Sequence, residues 1–193
     1  MVAGIPDAQR VNGSALTEKQ QHDPVQWMRL YWEQQNREDP GAFLAMTSVL
    51  RLHHLMTNAL EHNLRTKFKI SLTDYQILTA LQLSETGTWL LSRMAWHLMV
   101  HATTVTLAVE RLETKRHVTR HSHPHDKRTT LVTITDEGRQ LADAATDALA
   151  RMDFGLPGLT APQARSLIAT IGRLRAGAGD VDRSYESASS DLA

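Results

Sequence analysis

Val100-His-Ala-Thr-Thr-Val-Thr-Leu-Ala-Val-Glu-Arg-Leu-Glu113 is followed by Val118-Thr-Arg120, His123-Pro-His-Asp-Lys-Arg128 and Leu131-Val-Thr-Ile-Thr-Asp-Glu-Gly138. Val105, Val109 and Leu112 recur at helical spacing, which predicts an amphipathic helix from Ala102 to about Lys115 after a tight turn at Val100-His101. From Val118 to Thr135 the period drops to two. Leu131-Val-Thr-Ile-Thr alternates and is β-branched, as a half-buried strand should be. Pro124 and its polar neighbours form the tip between the two strands. Thr135-Asp-Glu137 then sets acceptors at a new helix start, where they favour the dipole. A helix followed by a basic β-hairpin, with a second helix behind it, is an arrangement suited to gripping duplex DNA.

Outward from this stretch the chain reads as helices. Thr73-Asp-Tyr-Gln76 fits a capping box, with Ile77, Leu78 and Leu81 on the apolar face behind it. Gly87 ends that helix, and Leu91 to Met99 forms a short one through Met94, Ala95 and Leu98. Upstream, Asp23-Pro24 and Asp39-Pro40 each pair a capping side chain with proline at the first helical position. The first opens a helix carrying Trp27, Leu30 and Tyr31. The second opens a helix of about seven turns, with an apolar series running from Phe43 through Met46, Val49 and Leu60 to Leu64. So long a stripe implies packing beyond its own domain. Downstream, the helix from Thr135 is expected to reach about Phe154. Thr160-Ala-Pro-Gln163 opens the last one, through Leu167, Ile168, Ile171 and Leu174. Residues 1–21 read as a flexible arm, 22–39 as an additional N-terminal helix, and 179–193 as a disordered tail.

Composition narrows the function classes. A chain of 193 residues, 41 % hydrophobic, suits one domain with a real core. No stretch approaches the roughly 20 apolar residues of a membrane span, and the N-terminus carries no signal-peptide pattern. Cysteine is absent, which excludes disulfides and a thiolate nucleophile and fits a cytoplasmic protein. Net charge is zero, yet residues 88–139 carry a net +3 and six of the ten histidines. No nucleophile-plus-base spacing, phosphate loop or paired carboxylates point to an enzyme, and no cofactor is implied.

The order helix, helix, helix, hairpin, helix, with long helices at both ends, resembles the MarR family of bacterial transcription regulators. Leu72-Thr73 with Gln76 and Leu78 looks like the family's second-helix opening. Met94-Ala95 with Leu98-Met-Val100 is similar to its "LA..L.V" segment, and Thr104-Val-Thr106 with Glu110-Arg-Leu-Glu113 to its recognition helix. Asp126-Lys-Arg128 matches the D-x-R of its wing, and Ile134-Thr135 with Gly138-Arg139 the "LT..G" that follows. The resemblance covers about residues 40 to 175. It implies a mainly α fold with a small β-hairpin wing: a winged helix-turn-helix (DNA-binding core 70–135) within a unit spanning 40–178, with long N- and C-terminal dimerisation helices. It implies a homodimer on a pseudo-palindromic operator, with half-sites about one helical turn apart, most simply a repressor released by a small aromatic or lipophilic effector.

On that reading the DNA-contacting residues are His101, Thr103, Thr104, Thr106 and Leu107 on the recognition helix, with the basic set Arg111, Lys115, Arg120, Lys127 and Arg128. Threonines can bond phosphates or touch a thymine methyl, Leu107 only the latter, and Glu110 can accept from cytosine N4. Arg128 is expected in the minor groove. By family analogy Asp126 braces the wing by pairing with an arginine, Arg111 being the candidate. His53, His54 and Tyr75 lie where the family often forms an effector pocket.

Three departures stand out. Arg116 occupies the position of the usual left-handed glycine, His101 that of a capping serine, and Leu107 that of a common basic residue. His121, His123 and His125 alternate near the wing tip, so protonation there would add positive charge. Two other readings remain open: a MarR-like dimer serving as a protein-interaction module, and a metal-responsive variant using these histidines. Without a completing carboxylate or cysteine, no metal site is assigned.

Overall fold

A computed structural model of the chain describes residues 23–35, 39–124 and 126–180. The arm assigned to 1–21, residues 181–193 of the tail, and His125 lie outside the described residues. The chain divides into two units between Leu55 and Met56.

In the first unit, helix α1 (Pro24–Gln34) starts where the Asp-Pro pair predicts, and Asp23 Oδ1 accepts from Val25 N at 2.9 Å. Asp39 does the same for Gly41 N at 2.9 Å before helix α2 (Gly41–Phe68). Trp32 stacks on Phe43 with ring centroids 4.8 Å apart. The apolar series on α2 stays uncovered here: Met46, Val49 and Leu50 are each about half exposed.

The second unit holds the end of α2, helices α3 (Leu72–Leu83), α4 (Leu91–His97), α5 (Ala102–Thr114), α6 (Asp136–Ala150) and α7 (Ala161–Gly177), and strands β1 (Thr88–Leu90), β2 (Val118–Ser122) and β3 (Thr130–Ile134). The strands form one antiparallel sheet in the order β1-β3-β2. The hairpin β2–β3 pairs Val118 with Ile134 and Arg120 with Val132. β1 adds a third strand that periodicity did not predict, since three residues are too few to show a period. It pairs Trp89 with Val132, and Thr88 Oγ1 meets Thr133 Oγ1 at 2.9 Å.

The core joins Ile77, Leu78 and Leu81 of α3 with Met94, with Val105, Ala108, Val109 and Leu112 of α5, and with Val118, Val132 and Ile134 of the sheet. The faces predicted to be inward on α3 and α5 are therefore the buried ones. A second cluster gathers Leu60, Leu64, Ile70, Ala145 and Leu149. Gly138 is required by close approach, because a Cβ there would stand 2.1 Å from the His117 carbonyl oxygen.

Two boundaries differ from expectation. Helix α3 is capped by Ser71, two residues before the Thr73 expected from sequence. Ser71 Oγ accepts from Asp74 N (3.1 Å) and Asp74 Oδ2 from Ser71 N (2.9 Å), so the capping box is Ser71–Asp74 and Thr73 and Gln76 already lie inside the helix. Helix α6 ends at Ala150, short of Phe154, because Asp153 and Phe154 take positive φ (51° and 50°) in a short 3-10 turn. The last helix begins as predicted, with Gln163 Oε1 accepting from Thr160 N at 3.0 Å. No described helix is long and apolar enough to cross a membrane.

Candidate nucleic-acid interface

The turn Met99–His101 delivers α5 with its first residues uncovered: His101, Ala102, Thr103, Thr104 and Leu107 are exposed, and Thr106 is half-buried. Thr106 Oγ1 is turned back onto the Ala102 carbonyl (3.1 Å), whereas Thr103 Oγ1 meets His101 Nδ1 at 3.1 Å. His101 does not forfeit the helix cap, as its place in a serine position suggested. Its Nδ1 accepts from Thr103 N at 3.3 Å, an imidazole nitrogen standing in for the serine oxygen.

At the other end of α5, Arg116 takes the left-handed conformation (φ 62°) that favours glycine. His117 N donates to the Leu112 carbonyl (2.9 Å) and Arg116 N to that of Glu113 (2.8 Å). These two bonds make a complete Schellman cap, so the turn is kept with arginine in it. Thr135 bridges back to the same turn: its Oγ1 donates to the Arg116 carbonyl at 2.8 Å and its amide to that of His117 at 3.1 Å.

The basic set divides into tethered and free side chains. Arg111 NH2 donates to Asp74 Oδ1 at 2.8 Å, and the carboxylate is almost fully buried. Asp74 is thus the partner of Arg111, in place of the Asp126 suggested by family analogy; it is closer because α3 packs directly on α5. Lys115 Nζ donates to the Lys69 carbonyl at 2.7 Å. Arg120 reaches back from β2 to Glu113 Oε2 (Nε 2.7 Å, NH2 2.5 Å), with Glu110 Oε1 3.9 Å away. The Arg120 hydrogen bond holds the Glu113 carboxyl below its ordinary range, and the same bond raises Arg120.

Lys127 and Arg128 sit exposed at the wing tip, and no described residue pairs with either side chain. Asp126 shapes that tip: its Oδ1 accepts from Arg128 N (3.0 Å) and its Oδ2 from Thr129 Oγ1 (2.8 Å). Those bonds, the Arg128 amide first, keep its carboxyl below the ordinary value. The sequence reading missed Glu113 and Asp74 as tethers. The Glu110/Glu113 pair, one helical turn apart and followed by Arg120 on the returning strand, was the available signal.

Other expected residues lie elsewhere. His53 and His54 belong to the first unit, edge-to-face with centroids 5.6 Å apart. Tyr75 belongs to the second, half-buried, its hydroxyl 3.0 Å from Thr146 Oγ1. His121 Nε2 meets Thr119 Oγ1 at 2.9 Å. Among the described residues, no three histidine, aspartate or glutamate side chains are placed to hold a metal ion.

An exposed helix start beside a basic-tipped hairpin defines the class of winged-helix DNA-binding proteins. Comparison with known proteins makes this more specific. The family model for the transcriptional regulators SarA/Rot matches residues 59–145. Sco5413, a MarR family transcriptional regulator from Streptomyces coelicolor, is 33 % identical, with a TM-score of 0.67 over 74 % of this chain and 98 % of that one. Sco3205, a MarR family transcriptional regulator from the same organism solved in complex with DNA, is 26 % identical, with a TM-score of 0.60 over 69 % of this chain and 84 % of that one. AbsC, a third from S. coelicolor, shares the fold at 23 % identity and a TM-score of 0.62, over 71 % and 93 % of the two chains. Comparison with curated proteins gives no match. The chain belongs to the MarR family: it is a DNA-binding transcription regulator of the winged helix-turn-helix class, and not an enzyme.

Proposed function

We propose that this regulator is a cytoplasmic homodimeric repressor that reads a pseudo-palindromic operator and is released by a small molecule. The observation that carries the reading is an uncovered α5 N-terminus beside a Lys127-Arg128 wing tip that pairs with no described residue, against tethered cations everywhere else in the basic set. His101, Thr103, Thr104 and Leu107 then meet base edges and phosphates, with Thr106 beside them. Arg128 enters the minor groove, and Arg111, Lys115 and Arg120 serve mainly to set the pose of the helix and wing.

Dimerisation is supported by two apolar faces left uncovered on long helices. Met46, Val49 and Leu50 lie on α2, and Ile168, Ile171 and Leu174 on α7. Exposed apolar stripes of this extent mark interaction surfaces. On this proposal the organisation is a dimerisation and winged-helix unit over 40–178, preceded by the extra helix of 22–39. A ligand lowering DNA affinity would do so by its differential affinity for the non-binding state.

The test is binding of the purified chain to the DNA upstream of its own gene, at two salt concentrations, against an unrelated duplex. Specific binding that weakens steeply with salt, and whose slope falls by about 1 in R128A, is the expected result. Equal weak binding to both duplexes would sink the repressor reading and favour the protein-interaction module.

A further inference from the structure

Arg111 and Lys115, on the last turns of α5, face the junction between α2 and α3. There they line a cleft of ≈ 250 Å³ with Arg65, Lys69, Ser71 and Asp74. Four cationic residues from three segments of the second unit therefore line one indentation. The carboxylates that answer them are Asp74, bonded to Arg111 at 2.8 Å, and Glu61, bonded to Arg65 Nε at 2.6 Å. Two positive charges remain in surplus.

The donors are also in surplus. The Lys69 ammonium meets no described acceptor, Lys115 spends one of its three protons on the Lys69 carbonyl, and Arg111 is half exposed with further N–H groups to spare. The amides at the start of α3 take no part. Ser71 N is bonded to Asp74, Asp74 N to Ser71 Oγ, and Leu72 N to Glu61 Oε2. Lys69 itself sits at φ 58°, a left-handed conformation that disfavours a residue with a Cβ. Its strained turn presents its carbonyl to Lys115.

We infer that this cleft is a binding site for a phosphate-type dianion, free or esterified to a small group. Two surplus charges match a dianion, lysines and arginines are the donors such oxygens recruit, and the volume leaves room beyond one phosphate. None of the residues expected to form an effector pocket lines it. Because Arg111 and Lys115 ride on the helix that carries His101 to Leu107, an anion that competes with Asp74 for Arg111 changes the seating of α5. The step from anion binding to DNA release rests on the proposed repressor function; anion binding itself does not.

The probe is inorganic phosphate, added to the full chain against chloride at equal ionic strength and read by calorimetric titration and by Tm. Phosphate is expected to bind and to raise Tm. K69Q and K115Q should each weaken binding roughly tenfold, the loss of one charge-assisted hydrogen bond, whereas R165Q, an exposed cation of α7 outside the cleft, should bind as the native chain does. The Lys69 side chain bonds to no described residue, so K69Q keeps the test valid if K115Q unfolds. Phosphate and chloride giving the same Tm with no heat of binding, or K69Q binding as tightly as the native chain, overturns the site.

A DNA arm separates the two sources of such an anion. If K69Q lowers the salt slope of duplex binding by about 1 with no phosphate present, the cleft takes a backbone phosphate of DNA. If the slope is unchanged while phosphate binding is lost, the ligand is a free anion. Failure to bind any operator would defeat the repressor reading and leave the phosphate result standing.

Discussion

Arg111, on the outer face of the recognition helix, is held by Asp74, which is 3 % exposed at the start of α3, through an NH2–Oδ1 bond of 2.8 Å. The same carboxylate closes the capping box with Ser71. One buried group thus anchors two helices. Truncation in D74A would leave the Ser71 amide without its acceptor and Arg111 without its partner, at a cost of roughly 1–3 kcal/mol. D74N, which keeps a side-chain oxygen for the cap, should lose less. Urea unfolding reads both; the midpoint should fall with an unchanged m-value, and equal losses in D74A and D74N would assign the whole effect to charge.

Arg116 gives the opposite sign. Its φ of 62° is dictated by the Schellman cap of α5, whose two hydrogen bonds are both made. R116G relieves a left-handed cost of about 1 kcal/mol without removing either bond. The variant is expected to unfold at higher urea than the native chain, while R116A, which keeps a Cβ, gains nothing. A destabilised R116G would mean that the arginine side chain contributes more than its backbone costs.

The left-handed position of Arg116 was visible only through the family resemblance, which places glycine there; that arginine keeps the turn is seen only in the two cap bonds. The burial of Val105, Val109 and Leu112 was legible locally, since helical spacing writes it into neighbouring residues. The Ser71 cap was missed because Thr73-Asp-Tyr-Gln76 offers an equally good local pattern two residues on, and only the packing of α3 decides between them. β1 was missed because three residues carry no period. The partners of Arg111, Lys115 and Arg120 were the least legible, being 37, 46 and 7 residues away across folded elements. A basic residue reads as a DNA contact until a carboxylate or carbonyl is seen to hold it.

Glu113 holds one such cation, Arg120, and on the proposed reading this keeps it from DNA. Its carboxyl titrates below the ordinary value, chiefly because of the Arg120 hydrogen bond. The stabilisation it gives is therefore present above the ordinary carboxylate pKa and lost as pH falls through the lowered one. Exposed pairs of this kind are worth about 0.2–1 kcal/mol, so E113Q should alter stability little at neutral pH. Its effect on DNA should be larger: an acidic side chain leaves the helix and Arg120 keeps only the longer contact to Glu110 at 3.9 Å. The slope of log affinity against log salt is expected to steepen by about 1. An unchanged slope would show that Arg120 points away from the duplex even when released from Glu113.

His117 is expected to make the fold sensitive to pH. It is the last residue of the α5 cap, its carbonyl accepts from Thr135 N at 3.1 Å, and its Nδ1 is buried with no hydrogen-bond partner among the described residues. Burial, then the neighbouring Lys115 charge, lowers its pKa, against a smaller opposing pull from Glu137. The unfolded chain therefore binds a proton more readily than the folded one between the lowered pKa and the ordinary histidine value of about 6.5. Stability should rise with pH through that window and be lost as pH falls through it. Comparing urea midpoints of the native chain and H117Q between about pH 7.5 and 5.5 isolates this histidine from the others. The native chain should lose more stability on acidification than H117Q does; parallel losses would show that His117 is not the source of the acid sensitivity.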